Sequence, residues 1–100
     1  MIKIVLICSG GMSTGMLVKK MNEAANEMNI ECDIHAYGIS DAERVVADAN
    51  IALLGPQIGF NLKKIETMAQ GIPVQVIDHR DYGMMNGKVV LEKALKALGE

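Results

Sequence analysis

Cys8 is the residue of this chain whose surroundings best fit covalent chemistry. It ends an apolar run that begins at Ile2, small and hydroxyl-bearing residues follow it, and a helical pattern begins near Ser13. The first N–H groups of a helix lack partners within the helix and carry partial positive charge, so they bind anions and favour a thiolate. The sequence therefore predicts a nucleophilic, catalytic Cys8 that carries a phosphoryl group. The predicted phosphate-binding residues are Ser9, Gly10, Gly11, Met12, Ser13, Thr14 and Gly15.

Four more polar residues follow the later strands that the sequence predicts. Gln57 comes shortly after the apolar run at residues 51–54, and Asp78, His79 and Tyr82 come after the run at residues 74–77. Because ligands of open parallel sheets bind at the carboxyl ends of the strands, we expect these side chains to meet near Cys8. All four are candidate second-loop contacts of the site: Gln57 lies in the loop after the third strand, and the other three lie in a loop that we predict over residues 78–87.

The second cysteine has a different predicted environment. Cys32 alternates with Ile30 and Ile34 on the apolar face of a strand, so we expect a core thiol. Neither cysteine belongs to a Cys-x-x-Cys or Cys/His pattern, and no secretory feature accompanies them. We therefore predict no disulfide, no metal site and no cofactor.

Length, charge and composition exclude several functional classes. The 100 residues show no compositional break, which predicts a single domain over residues 1–100. No apolar stretch is long enough to span a membrane and no signal peptide precedes the first strand, so we expect a cytoplasmic protein, and a monomer. A net charge of −2 without a basic stripe argues against nucleic acid as a partner.

Apolar strands alternate with helical periodicity four times, which predicts an α/β fold. The runs at residues 5–7, 51–54 and 74–77 predict interior strands covered on both faces, whereas the strict alternation at residues 30–36 predicts an edge strand. Helices are predicted at about residues 13–28, 58–70 and 88–98, with a short helix that begins at a capping box, residues 40–43, and extends to Ala49. Right-handed crossovers then favour an open four-stranded parallel sheet of order 2-1-3-4, with helices on both faces and a cysteine phosphate-binding loop after strand 1.

Three segments together carry a resemblance to a known family. Residues 8–14 (Cys-Ser-Gly-Gly-Met-Ser-Thr), residues 53–58 (Leu-Leu-Gly-Pro-Gln-Ile) and residues 76–78 (Val-Ile-Asp), with Tyr82 and Gly83 beyond them, resemble the IIB component of the lactose/cellobiose/chitobiose family of the phosphoenolpyruvate-dependent sugar phosphotransferase system. The resemblance spans essentially the whole chain. It implies a phosphotransferase in which Cys8 accepts a phosphoryl group from a phosphohistidine of the IIA component and passes it to a sugar held by the membrane component IIC. It also implies a freestanding cytoplasmic subunit.

Two other classes use similar parts and remain alternatives. Low-molecular-weight tyrosine phosphatases place an arginine six residues after a cysteine that follows the first strand, whereas this chain has Thr14 there. Without that planar cationic clamp, a phosphocysteine is expected to persist until an acceptor arrives. Flavodoxins bind phosphate with a similar loop after strand 1, but this chain has no tryptophan, and Cys8 has no purpose in a flavin-binding module.

Overall fold

A computed structural model describes residues 1–9 and 12–99 of the chain. Its sheet is built from parallel strands. The strands are β1 (Ile2–Cys8), β2 (Cys32–Gly38), β3 (Ile51–Leu54) and β4 (Val74–Val76). Their order across the sheet is β2-β1-β3-β4, and each neighbouring pair is parallel. The predicted fold class and strand order are confirmed.

Helices connect the strands in the way that parallel pairing requires. They are α1 (Met12–Glu27), α2 (Ala42–Val46), α3 (Leu62–Ala69), α4 (His79–Gly83) and α5 (Gly87–Ala97). Short 3-10 segments precede two of them, Ile39–Asp41 before α2 and Pro56–Asn61 before α3.

Both faces of β1 are buried, which confirms the prediction of an interior strand. Ile4 and Leu6 belong to a core cluster that includes residues of α1 and α5, while Val5 and Ile7 belong to a second cluster with residues of α2 and α3. Successive side chains of a strand point to opposite faces, so one short apolar run supplies both cores. The sheet is therefore covered by helices on its two faces.

The prediction of β4 as an interior strand is wrong. β4 lies at the edge of the sheet with β3 as its pairing partner, and Val76 keeps 38% of its surface exposed. An apolar run of three or four residues looks the same in an interior strand and an edge strand, so its composition was misleading here. Ile77, which the prediction included in the strand, follows β4 and is buried.

Three local predictions also need correction. The capping box at residues 40–43 is not formed, because the N-cap of α2 is Asp41 and its side chain makes no capping hydrogen bond. The third predicted helix begins as a 3-10 segment before α3. Residues 78–87, predicted as a loop, contain α4, so His79 and Tyr82 are helical.

Close contact between α1 and α5 fixes the position of α1. Gly87 begins α5, and a Cβ placed on it would lie 2.5 Å from the carbonyl carbon of Lys20 and 2.6 Å from the backbone nitrogen of Met21. These are backbone atoms that cannot turn aside, so glycine is required for the two helices to approach. Leu17, Met21 and Ala24 of α1 are buried in the core cluster that also contains residues of α5. Among the described residues, no helix combines the length and apolar character needed to cross a membrane.

Candidate functional site

The register of the sheet brings the carboxyl ends of its strands into line. Cys8, the last residue of β1, pairs with Gly38, the last residue of β2. On the other side of β1, the Gly55 N–H donates to the Ile7 carbonyl at 2.9 Å, and the Ile77 N–H donates to the last residue of β3 at 2.8 Å. We call this edge the carboxyl rim, and Cys8 lies at its centre.

The Cys8 side chain is buried at this rim, with 5% of its surface exposed. Its Sγ donates a hydrogen bond to the backbone carbonyl of Tyr37 at 3.7 Å. Sequence reasoning missed Tyr37 because it ended the second strand at Ala36. The signal was nevertheless present, since the predicted strand order places the end of strand 2 beside the end of strand 1.

Gln57 is brought next to Cys8 across a glycine. A Cβ placed on Gly55 would lie 3.7 Å from the Cys8 Cβ and 2.9 Å from the Gln57 Oε1. The exposed Gln57 side chain thus lies over Gly55, and the lack of a side chain at position 55 makes room for it. The structure supports Gln57 as a neighbour of the thiol.

Thr14 and Tyr82 form a contact that joins α1 to α4. The Thr14 Oγ1 and the Tyr82 hydroxyl lie 3.0 Å apart, and both residues are buried. Thr14 belongs to the first turn of α1, and Tyr82 lies 68 positions later in α4. The sequence pointed to both residues for the site but gave no sign of this pairing.

Asp78 and His79 lie where the chain leaves β4 and enters α4. The Asp78 carboxylate accepts hydrogen bonds from the backbone N–H groups of Arg80 at 2.8 Å and Asp81 at 3.3 Å, and these bonds lower the pKa of Asp78. Asp78 therefore acts as the N-cap of α4. His79 is exposed as the first residue of that helix.

A salt bridge holds the same short helix from its other side. Asp81 accepts from the Lys93 ammonium of α5 at 2.6 Å, and this hydrogen bond raises the pKa of Lys93. Together, the Asp78 cap and this ion pair fix α4 between β4 and α5.

The remaining predicted phosphate-binding residues lie between β1 and the first turn of α1. Ser9 is exposed directly after β1, and Gly15 is exposed in the first turn of α1 with open space around its Cα. Met12 and Ser13 begin α1. The predictions for Gly10 and Gly11, and for the side chains of Met12 and Ser13, lie outside the described residues.

Cys32 lies at the opposite end of the sheet. It begins β2, is partly buried against the core cluster of α1 and α5, and burial raises the pKa of its thiol. Cys32 therefore lies at the margin of the core and not inside it as predicted. Within the described ranges, no group of three or more His, Cys, Asp or Glu side chains is placed to hold a metal ion.

The arrangement at the carboxyl rim suits nucleophilic chemistry on an anionic group. A thiol ends the central strand, and a helix begins four residues later. The first N–H groups of a helix have no acceptor carbonyl within the helix, and an oxyanion or phosphoryl oxygen satisfies such donors well.

Comparison with known proteins shows which family this chain is similar to. A family model described as the lactose/cellobiose-specific IIB subunit of the phosphotransferase (PTS) system matches residues 3–93. An oligo-beta-mannoside-specific EIIB component from Bacillus subtilis is 41% identical over 96% of this chain and 95% of its own length. The solution structure of a cellobiose-specific IIB component from Borrelia burgdorferi is 39% identical, covers 98% of this chain and 92% of its own, and superimposes with a TM-score of 0.81.

Two more distant likenesses concern the fold and the arrangement of components. The lactose-specific IIB domain of Streptococcus pneumoniae shares the fold with a TM-score of 0.86 at 17% identity, over 96% of each chain. A lactose-specific EIICB component from Lactococcus lactis is 27% identical over 79% of this chain, which corresponds to 14% of that larger protein.

Proposed function

Since the chain belongs to the lactose/cellobiose-specific IIB family of the phosphotransferase system, we propose that Cys8 carries a phosphoryl group from a IIA component to a sugar bound by a IIC component. The observation that carries the proposal is the position of Cys8, which ends the central strand at the carboxyl rim, four residues before α1 begins.

The first step loads the cysteine. The Cys8 sulfur, as a thiolate, attacks the phosphorus of a phosphohistidine, so that an S–P bond forms and the N–P bond breaks. The proton released by the thiol balances the proton that the departing imidazole takes up. Since the Cys8 Sγ–H is the donor to the Tyr37 carbonyl, that hydrogen bond belongs to the unphosphorylated form and is given up on loading.

The second step returns the cysteine to its starting form. A sugar hydroxyl attacks the same phosphorus, an O–P bond forms and the S–P bond breaks. The hydroxyl proton is released as Cys8 regains its own. The protein therefore ends each cycle unchanged, as a carrier must.

The backbone at the start of α1 supplies the anion cradle in this proposal. N–H groups from Ser9 to Gly15 donate to the phosphoryl oxygens, and the positive end of α1 stabilises their charge. Gln57, which lies over Gly55 beside Cys8, is the best placed of the four candidate contacts, and the Tyr82 hydroxyl reaches the first turn of α1 at Thr14. Asp78 caps α4, and His79 is exposed as the first residue of that helix.

The name of one relative supports part of the proposed set of partners. The Lactococcus lactis relative is named as an EIICB component, which supports a IIC partner for this chain. The IIA donor and a cytoplasmic location follow from the family resemblance. We also propose a monomeric, single-domain carrier. The sugars named for similar proteins differ, being oligo-beta-mannoside, galactose and cellobiose, so the proposal names no particular sugar.

A phosphatase function is disfavoured by the position six residues after Cys8. Thr14 there is 1% exposed and paired with the Tyr82 hydroxyl, so it supplies no cation to the site. The flavin-binding alternative is likewise not favoured by the family match.

The test follows the phosphoryl group through both steps. Wild-type protein is incubated with phosphoenolpyruvate, the general phosphotransferase proteins and the matching IIA, and intact mass is measured. Membranes that contain the matching IIC are then added with candidate sugars, among them oligo-beta-mannosides, cellobiose and galactose. We expect one phosphoryl group per chain, lost in step with the appearance of sugar phosphate. A chain that takes up no phosphoryl group, or releases it as inorganic phosphate without sugar, would contradict the carrier function.

A further inference from the structure

We propose that Tyr82 is a positioning residue for phosphoryl transfer, because its hydroxyl holds the first turn of α1 through Thr14. This inference rests on the proposed function, since it concerns the same Cys8 site. It assigns to Tyr82 a role in placing the anion cradle, with Thr14 as the residue through which it acts.

The contact between the two hydroxyls is buried. Thr14 keeps 1% of its surface exposed and Tyr82 keeps 7%, with 3.0 Å between the oxygens. A buried hydroxyl that loses its partner keeps the cost of desolvation, so the pair resists separation more than an exposed pair would.

Tyr82 is itself held firmly enough to act as an anchor. Its backbone N–H donates to the Asp78 carbonyl at 2.9 Å, within the capped first turn of α4. One position earlier in α4, Asp81 is tied to Lys93 of α5. The hydroxyl thus extends from a short helix that is fixed at its start and along its side.

Thr14 is placed so that its position affects the reaction. It is the third residue of α1, and its backbone N–H is among those at the helix start that can reach an anion. The contact with Tyr82 is made by the Thr14 side-chain hydroxyl and does not use the Thr14 backbone N–H. Because stabilisation of developing charge depends on donors held at hydrogen-bonding distance, a small displacement of the turn lowers the transfer rate.

The test compares variants that remove each hydroxyl. Tyr82→Phe, Thr14→Val and the double variant are loaded from phosphorylated IIA, and single-turnover rates are measured well below each unfolding midpoint. We expect each single variant to load about tenfold more slowly, as the loss of one buried hydrogen bond implies. The double variant should be no slower than the slower single variant, because both changes remove the same contact.

Two further variants separate positioning from stability. Thr14→Ser keeps the hydroxyl and should load within about threefold of wild type, which is rescue by a conservative change. Thr67→Val is the matched control, because the Thr67 hydroxyl is exposed and donates within α3 to the Lys63 carbonyl at 3.0 Å. If Tyr82→Phe fails to fold, the contrast between Thr14→Ser and Thr14→Val decides the question.

Backbone amide shifts of Thr14 and Gly15 give a second readout. We expect them to change on phosphorylation of the wild type, and to change less in Tyr82→Phe. Wild-type rates in all the variants, even with lowered midpoints, would reduce the contact to a stabilising one and overturn the inference, as would fully additive losses in the double variant. A wild type that does not load at Cys8 would instead refute the proposed function.

Discussion

Cys8 and Cys32 lie at opposite ends of two adjacent strands, and the helix α1 begins near one and ends near the other. α1 begins four residues after Cys8, whereas its last turn, at Asn26, lines an open groove of about 430 Å³ together with Cys32. The start of a helix carries partial positive charge and its end partial negative charge. The end of α1 near Cys8 therefore favours a thiolate, and the end near Cys32 opposes one.

Exposure and position point to different cysteines. Cys32 is the more exposed of the two, while Cys8 is 5% exposed. The proposed function follows the position of the thiol relative to a strand end and a helix start, so the two cysteines test whether position or exposure determines reactivity.

The largest expected effect comes from removing each thiol in turn. With phosphoenolpyruvate, the general phosphotransferase proteins and IIA present, Cys8→Ser should take up no phosphoryl group, and Cys32→Ser should take up as much as wild type. Intact mass distinguishes the forms. Phosphate retained in Cys8→Ser, or lost only in Cys32→Ser, would contradict Cys8 as the phosphorylation site.

The second prediction concerns the close contact between α1 and α5 at Gly87. Gly87→Ala forces a methyl group against the backbone of Lys20 and Met21, so it should lower the free energy of unfolding by about 1–3 kcal/mol, the usual cost of overpacking. Gly83→Ala is the matched control, because a Cβ there meets nothing within 4 Å. Urea unfolding of both variants measures the difference. Equal stabilities would mean that α1 and α5 separate at little cost.

The third prediction concerns the pH dependence of alkylation at the two cysteines. Partial burial raises the pKa of Cys32, so its reaction with iodoacetamide should rise only at alkaline pH. Cys8 should respond at a lower pH, since we expect the start of α1 to outweigh both the burial of this thiol and its weak S–H hydrogen bond to the Tyr37 carbonyl. Mass spectrometry of each cysteine-containing peptide across a pH series gives the two midpoints. A reversed order would remove the helix start as the cause.

The smallest expected effect is at the N-cap of α4. The backbone N–H bonds lower the pKa of Asp78 in the folded protein, so the charged cap stabilises the fold above the unfolded value of about 3.9 and loses this contribution as pH falls through the folded value. Asparagine also caps helices but does not titrate. The melting temperature of wild type should therefore fall more steeply than that of Asp78→Asn below about pH 4. Parallel curves would show that the Asp78 charge contributes little.

The central part of the fold was predictable because simple rules determine it. A continuous apolar run identified β1, strict alternation identified β2, and a period of 3.6 identified α1. Right-handed crossovers with an edge second strand then gave the strand order. Once that order was known, the carboxyl rim followed, and with it the relation of Cys8 to the start of α1. Gln57 was predicted for the same reason, because it follows the strand adjacent to β1.

The parts that were missed depend on contacts without a local signal. α4 is five residues long and lies in a polar segment, so no apolar periodicity marks it. The Thr14–Tyr82 pair joins residues 68 positions apart, and neither residue type announces its partner. The capping box had the right residue types, but a 3-10 segment takes up Ile39–Asp41 and leaves α2 without the side-chain cap.

The central position of β1 also determines when the site can assemble as the chain is made. β1 is the first strand along the chain, yet it pairs with β2 on one side and β3 on the other, and Thr14 must await Tyr82. Parallel pairs and distant contacts close long loops, so they form late and slowly. During synthesis the cysteine therefore emerges well before the residues that complete its surroundings. A nascent or truncated chain that ends before α4 contains the reactive residue without the Tyr82 hydroxyl, and competence for transfer should appear only near the end of folding.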